Sequence, residues 1–354
     1  MKKDTIEIPN VANHHVHLRE GEMLAFTSFF SRLFSVVVAK ANLKEPVVDA
    51  ESYDQYYNRE LRKHSTAQVI GGLMMTPETT AETIEKAYRL GARFVANIPE
   101  GVSTNSNGIL LTDLDTGIGQ ADTYSSMIRL GMPLLLHVQN KFNANLSESE
   151  LKDFFIAIRH IKNIFPELKI SIEHPNSRAL IDFIIDTPGV TGGIAPHYGL
   201  YTWRDATDGY GVVLRPEIFC QPLYGDDSDR LAVIRAMANA YVWGERKFRY
   251  ASDDAPHPVS AKRGASPASG VFSGPVGPCM VARMLEVAGR LDVLPKFMEY
   301  DEEFFGVPLD KASAKTMVLE KKPWTPPVIA QCEDFSSQQV YLLKGGESVS
   351  WQIV

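Results

Sequence analysis

Cysteine is scarce in this 354-residue chain. Cys220, Cys279 and Cys332 are odd in number and show no CxxC spacing. That points away from a disulfide framework and toward reduced thiols in a cytoplasmic enzyme. Basic excess is lacking too: 36 Lys and Arg stand against 43 Asp and Glu, a net charge of −7. No surplus exists to neutralise phosphates, so neither a nucleic acid nor an anionic membrane is expected as a partner. No apolar run approaches the roughly 18 residues a membrane span needs. The start MKKDTIEIPN has two lysines but no apolar stretch behind them, so no signal peptide is expected. Internal repeats and low-complexity tracts are also missing.

What is present is an alternation. Short β-rich runs fall at 8–18, 35–42, 67–75, 92–99, 133–139, 169–174, 190–196 and 247–254. Helical patterns lie between them. One is TTAETIEKAYRLG, where Thr79 and Glu82 have capping-box spacing and Gly91 supplies a stop. Others are 147–165, with apolar residues at helical spacing, and 228–244. Eight strands, each followed by a helix or long loop, predict an α/β fold of the (β/α)8 barrel type. The rival doubly wound sheet is weakened because no glycine-rich phosphate turn follows the first strand. The barrel is expected over 1–319, with 320–354 as a C-terminal extension packed on it.

In such a barrel the chemistry sits where strands end. The stretch NHHVHLREGEML at 13–24 places His15 and His17 there, and period-2 alternation puts both on one face, with His14 pointing away. Two imidazoles at that spacing can share one metal ion. Asn42 ends the second run, His137 the fifth, His174 the sixth and Asp253 the eighth, with His257 four residues beyond. Taken singly, each histidine has an ordinary structural reading, and His64 and His160 are read that way; His197 is left open. Five potential metal ligands at the matching end of four strands are hard to obtain from core filling alone.

These residues carry a resemblance. HVHLREGEML is similar to the HxHLRDGDML signature of dihydroorotases, metal-dependent barrels of the amidohydrolase superfamily. SDDAPHP (252–258) resembles that family's SDSAPH, PLLLHVQ its PLLVHGE, and IEHPNS its EHIT segment. ANLKEPV, STNSNG and the closing GGESVSWQIV resemble PNLxPPV, TTNSxxG and AGETVRW in the same order. The resemblance covers essentially the whole chain and points to the shorter, bacterial-type class. It implies that His15, His17 and Asp253 hold one metal, and that His137 and His174 hold a second. Arg19, Asn42 and His257 would bind a substrate carboxylate, with guanidinium and imidazolium giving charge-assisted hydrogen bonds. Thr104 and Asn105 would belong to a loop closing over the substrate. Asp253 would serve as general base and then acid for a metal-activated hydroxide, in the reversible interconversion of N-carbamoyl-L-aspartate and L-dihydroorotate. Zinc as one or two ions, a small-molecule substrate and a homodimer follow as expectations.

The sequence departs from that pattern at the fourth strand. The family carries there a lysine that becomes carbamylated and bridges two metals. Here the stretch is FVANIPEG, with Ala96 at that place and Asn97 one residue on. Lys40, of the same parity as Asn42, is a candidate substitute, the alternative being that it snorkels or points outward. It would either bridge as a carbamate or place its ammonium in the missing metal's space and pair with Asp253. Asp254 and Gln221 are smaller departures, at positions where the family has serine and an apolar residue. Two alternatives stay open: an inactive homologue that binds a ligand or partner, and an amidohydrolase for another carboxylate-bearing cyclic amide.

Overall fold

The β-rich runs close into one parallel barrel. The computed structural model describes residues 5–101, 106, 108–109, 120–139, 145–330, 332 and 339–354. Strand β1 (Thr5–Pro9) lies outside the barrel. The barrel begins with β2 (Ala12–Val16), β3 (Val36–Ala39) and β4 (Gln68–Ile70), paired in parallel. It continues through β5 (Leu73–Met74), β6 (Val95–Asn97), β7 (Leu134–His137), β8 (Ile170–Glu173) and β9 (Val190–Ile194). A hairpin, β10 (Tyr241–Val242) and β11 (Glu245–Arg246), precedes the last barrel strand, β12 (Phe248–Tyr250).

The third predicted run is thus two strands, β4 and β5, parted at Gly71-Gly72. Close packing explains the glycines: a Cβ on Gly71 would stand 2.6 Å from the Tyr57 ring, and one on Gly72 would stand 2.4 Å from the Phe94 carbonyl oxygen. The barrel closes between β12 and β2 through the backbone of site residues. The Asp253 N–H donates to the His15 carbonyl at 3.1 Å, and the His17 N–H donates to the Asp254 carbonyl at 2.9 Å.

The helices follow their local signals with two adjustments. Helix Ala81–Leu90 is capped by Thr80, whose hydroxyl accepts from the Thr83 N–H, not by Thr79. Thr79 instead accepts from the Thr76 N–H with its hydroxyl, in the preceding turn. Helix Asp227–Ala238 ends before 244 because the chain turns into the β10–β11 hairpin. Helix Glu148–Ile164 carries the capping box of Ser147 and Glu150. Among the described residues no helix is long and apolar enough to cross a membrane.

Inside the barrel, Ala12, Val36, Val38, Ile70, Phe94, Ala96 and Leu135 form an apolar floor with Tyr300, Phe304 and Phe305. Outside it, β13 (Thr316–Glu320) pairs antiparallel with β1 and with the C-terminal strand Gln352–Ile353, tying the two ends of the chain together.

Candidate active site

Strand β2 explains how three nearly consecutive histidines can all be buried. Its register against β3 shifts between Asn13 and Val16, so β2 carries one extra residue. His14 turns toward the floor, where Nδ1–H donates to the Tyr250 carbonyl at 2.8 Å and Nε2 accepts the Asp301 N–H at 3.2 Å. Its ring stacks on Tyr300 and Phe305. His15 and His17 turn toward the mouth together, as alternation predicts.

The donor atoms at the mouth form a near-equilateral triangle. His15 Nε2 lies 3.2 Å from His17 Nε2, and each of these nitrogens lies 3.2 Å from Asp253 Oδ1. A tetrahedral ion with bonds of about 2.0–2.1 Å separates its ligands by about 3.3 Å, so these three atoms fit one face of a zinc site. The electrostatics agree. Burial, joined by the Lys40 charge for His15 and the Arg19 charge for His17, holds both imidazoles well below their ordinary pKa. They are therefore neutral and present lone pairs. His15 is also oriented from behind, because its Nδ1–H donates to Glu173 Oε2 at 2.6 Å. Such a carboxylate behind a ligating histidine fixes its tautomer.

The second pair is less supported. His137 Nδ1 and His174 Nε2 lie 3.1 Å apart, and His15 completes a group with them. His137 Nε2 and His174 Nδ1 have no hydrogen-bond partner among the described residues, and neither has His17 Nδ1 of the triangle. No carboxylate joins that group either. Ala96 is the inward-facing residue of β6, whereas Asn97 is committed elsewhere: its amide brackets Ile109, accepting that residue's N–H at 2.8 Å and donating to its carbonyl at 2.9 Å. Lys40 does face the interior, fully buried, but it pairs with Glu173 rather than with Asp253. Its Nζ donates to Glu173 Oε2 at 2.7 Å. Burial pulls the Lys40 ammonium below its ordinary pKa, and the adjacent Glu173 carboxylate opposes that pull.

Above the triangle opens a cavity of about 290 Å³, lined by Arg19, Asn42, Gln221 and His257 among others. Arg19 donates from Nε to the Pro256 carbonyl at 3.2 Å, and from Nη2 to His257 Nε2 at the same distance. His257 is not the imidazolium expected from the sequence. Burial and the Arg19 charge hold it down to about 3, so it is neutral and accepts from the guanidinium. Asp254 faces away from the cavity, accepting the Ser273 N–H at 2.6 Å, the Ser273 hydroxyl at 2.7 Å and the Gly274 N–H at 3.2 Å. Burial also sets His197, which is left neutral at about 3 beside Tyr198 and Tyr224. His64 and His160 are exposed, as their structural reading expects. Thr104 and Asn105 lie outside the described residues.

Three site residues adopt backbone conformations unusual for side-chain-bearing residues: Arg19 (φ 60°), His174 (φ 37°) and Asp253 (φ 52°). Each costs on the order of 1–3 kcal/mol, and such outliers concentrate where side chains are aimed at a task. Glu173 is the residue that sequence reading missed. Its signal was present, since Ser171 and Glu173 alternate with the apolar Ile170 and Ile172 on β8.

Comparison with known proteins follows the geometry. No family model matches the chain. A probable dihydroorotase of Schizosaccharomyces pombe is 30% identical over 333 residues, spanning 91% of this chain and 93% of the relative. A dihydroorotase of Coxiella burnetii is 26% identical over 361 residues, spanning 100% and 98%. The crystal structure of a Saccharomyces cerevisiae dihydroorotase in complex with 5-fluoroorotic acid superposes with a TM-score of 0.85 at 23% identity, covering 99% of this chain and 98% of that one. That last likeness shows a shared barrel fold. The identity sustained along almost the full length of both chains adds descent to it, and this chain belongs to the dihydroorotase family.

Proposed function

We propose that this chain catalyses the reversible interconversion of N-carbamoyl-L-aspartate and L-dihydroorotate in pyrimidine synthesis. The observation that carries the reading is the donor triangle of His15, His17 and Asp253, facing a cavity that also holds Arg19, Asn42 and His257. A zinc ion held by that triangle would polarise the reacting carbonyl and acidify a water toward a pKa of about 7.

The chain's own groups supply the rest. Arg19, with Asn42 and His257 beside it, binds the carboxylate and fixes which carbonyl faces the triangle. Burial raises the Asp253 carboxyl above its ordinary pKa, against the charges of His174 and Lys40. The Asp253 carboxylate stands where it can accept a proton from water and return it to the departing ring nitrogen. Thr104 and Asn105 belong to this reading as substrate contacts.

Lys40 acts in it as a fixed ammonium and not as a carbamate, because a carbamate would set a second anion against Glu173, which already receives Lys40 Nζ at 2.7 Å. The Glu173 carboxylate near the His137–His174 pair is already engaged by Lys40 and His15, and Ala96 offers no anion to bridge a second dication to the first, so the repulsion between two such ions would go uncompensated. We therefore assign one ion per chain, at His15, His17 and Asp253. A cytoplasmic location rests on the three buried cysteines, none of them in a disulfide, and a homodimer on the family.

The test is hydrolysis of dihydroorotate by the zinc-supplemented protein, with bound metal counted on the same sample. Turnover well above that of His15→Ala, at about one zinc per chain, is the expected result. Activity no higher than that control would overturn the catalytic reading, and two tightly held ions would overturn the single-ion assignment.

A further inference from the structure

We propose that Lys262 is a positioning residue, its side chain clasping together two backbone segments, 219–221 and 268–270, that wall the substrate cavity. The inference rests on the dihydroorotase reading for its substrate. Lys262 closes the short helix Val259–Lys262, just beyond His257, and is only 2% exposed. Its Nζ donates to three carbonyl oxygens: Phe219 at 2.9 Å, Ala268 at 2.9 Å and Gly270 at 2.6 Å. An ammonium has three N–H donors, and here each has an acceptor.

The clasped segments are the ones that matter to the pocket. Cys220, Gln221, Ala268, Ser269 and Gly270 all line the cavity that holds Arg19 and His257. The two segments also touch directly, since the Gly270 N–H donates to the Phe219 carbonyl at 3.0 Å. Gly270 lies hard against the site: a Cβ there would stand 2.3 Å from the Ala255 carbonyl oxygen and 3.2 Å from His257 Cδ2. A shift of this wall therefore moves His257 and the surface that receives the substrate. Burying a charge carries a desolvation cost that a neutral or apolar anchor would avoid. Three converging carbonyl dipoles offset that cost, and in return they are held at one point.

Protonation of Lys262 is what keeps all three carbonyls engaged. The neutral amine has two N–H groups and would turn a lone pair toward the third oxygen. Burial pulls Lys262 down to about 8. The charged and titratable groups facing it are Glu217, Cys220, His257 and His197. Burial holds His257 and His197 neutral down to about 3 and the Cys220 thiol up to about 12. Of Lys262 and these three, Lys262 is the group that changes charge near pH 8.

The experiment compares wild type, Lys262→Arg and Lys262→Met as zinc-loaded full-length proteins. It measures kcat and KM for dihydroorotate from pH 6.5 to 9.5, together with hydrogen exchange of the segments around 219–221 and 268–270. Lys262→Met is expected to raise KM about tenfold with kcat within about threefold, the signature of lost uniform binding. Wild-type KM should climb above pH 8, whereas Lys262→Arg, which keeps its charge, should hold KM low at pH 9. Equal KM in all three proteins, or a loss confined to kcat, would overturn the clasp. Should Lys262→Met fail to fold, coincident wild-type and Lys262→Arg profiles above pH 8 would overturn it alone. If wild type does not turn over dihydroorotate, the substrate reading fails separately. Exchange then decides the clasp: faster exchange confined to the two segments in Lys262→Met supports it, and unchanged exchange overturns it.

Discussion

Glu173 serves two partners with one oxygen. Its Oε2 accepts from Lys40 Nζ at 2.7 Å and from His15 Nδ1–H at 2.6 Å, while Ser171 donates to Oε1 at 2.9 Å. Burial by itself would raise its carboxyl, but the Lys40 charge beside it prevails and holds it below the ordinary range. It therefore stays ionised, keeps the His15 proton on Nδ1 and leaves Nε2 free for a metal. Glu173→Gln keeps the shape and removes the charge. Zinc affinity, read by competition with a chelator, should fall roughly 10–100-fold, as carboxylates behind ligating histidines generally show; an unchanged affinity would make Glu173 a partner of Lys40 alone. The candidate ligands His15 and His17 were legible in the sequence because polar residues at strand ends stand out. Glu173 was not, because its role depends on Lys40 and His15 meeting it across the barrel, 133 and 158 residues away.

Elements here do more than carry side chains at regular spacing. The extra residue in β2 sends His14 to the floor and His15 to the mouth, which a strictly alternating strand cannot do. The loop after β12 is held as tightly at Gly270, whose φ of +141° and contact with Ala255 exclude a side chain. Gly270→Ala should cost roughly 2–4 kcal/mol, combining left-handed strain with overpacking. Urea unfolding monitored by fluorescence checks this, and a change below about 0.5 kcal/mol would show that the loop relaxes freely, since that is the range of neutral surface substitutions. Caps show the limit of local reading. Ser147 and Glu150 stand as a capping box in both sequence and structure. At the next comparable site Thr80 displaces Thr79, because adjacent threonines offer the same hydroxyl and the preceding turn takes one of them.

Across the whole molecule, the barrel interior is crossed by charge. Above the apolar floor sit Lys40, Glu173 and Ser171, and Ser171 receives Arg249 Nη1 at 3.4 Å. Arg249 pairs with Asp301 at 2.9 Å and lies over the Phe304 ring, and Asp301 donates its N–H to His14. One continuous network thus links the base of the barrel to the donor triangle of His15, His17 and Asp253. Burial pushes the Asp301 carboxyl up, but the guanidinium groups of Arg249 and Arg246 outweigh it and hold the carboxyl below its ordinary pKa. The sign follows: a depressed carboxylate stabilises the fold above its unfolded pKa of about 3.9 and loses that contribution as pH falls through its folded value. Asp301→Asn leaves Arg249 buried without its counter-ion and should cost about 3–5 kcal/mol near neutral pH. The difference from wild type should shrink below about pH 4 in urea titrations. A difference independent of pH would assign the loss to packing instead of charge.

By itself, the sequence determined the barrel, the family and which polar residues stand at the strand ends. Alternating apolar runs specify strands and helices locally, and polar residues at strand ends survive as a pattern in one dimension. Only the tertiary structure decided what those residues do to one another. The β2 bulge, the neutral His257, the outward Asp254 and the Lys40–Glu173 pair all depend on which groups meet across the barrel. Burial and neighbouring charge set protonation and partner choice there, and both are properties of three-dimensional proximity that no spacing along the chain encodes.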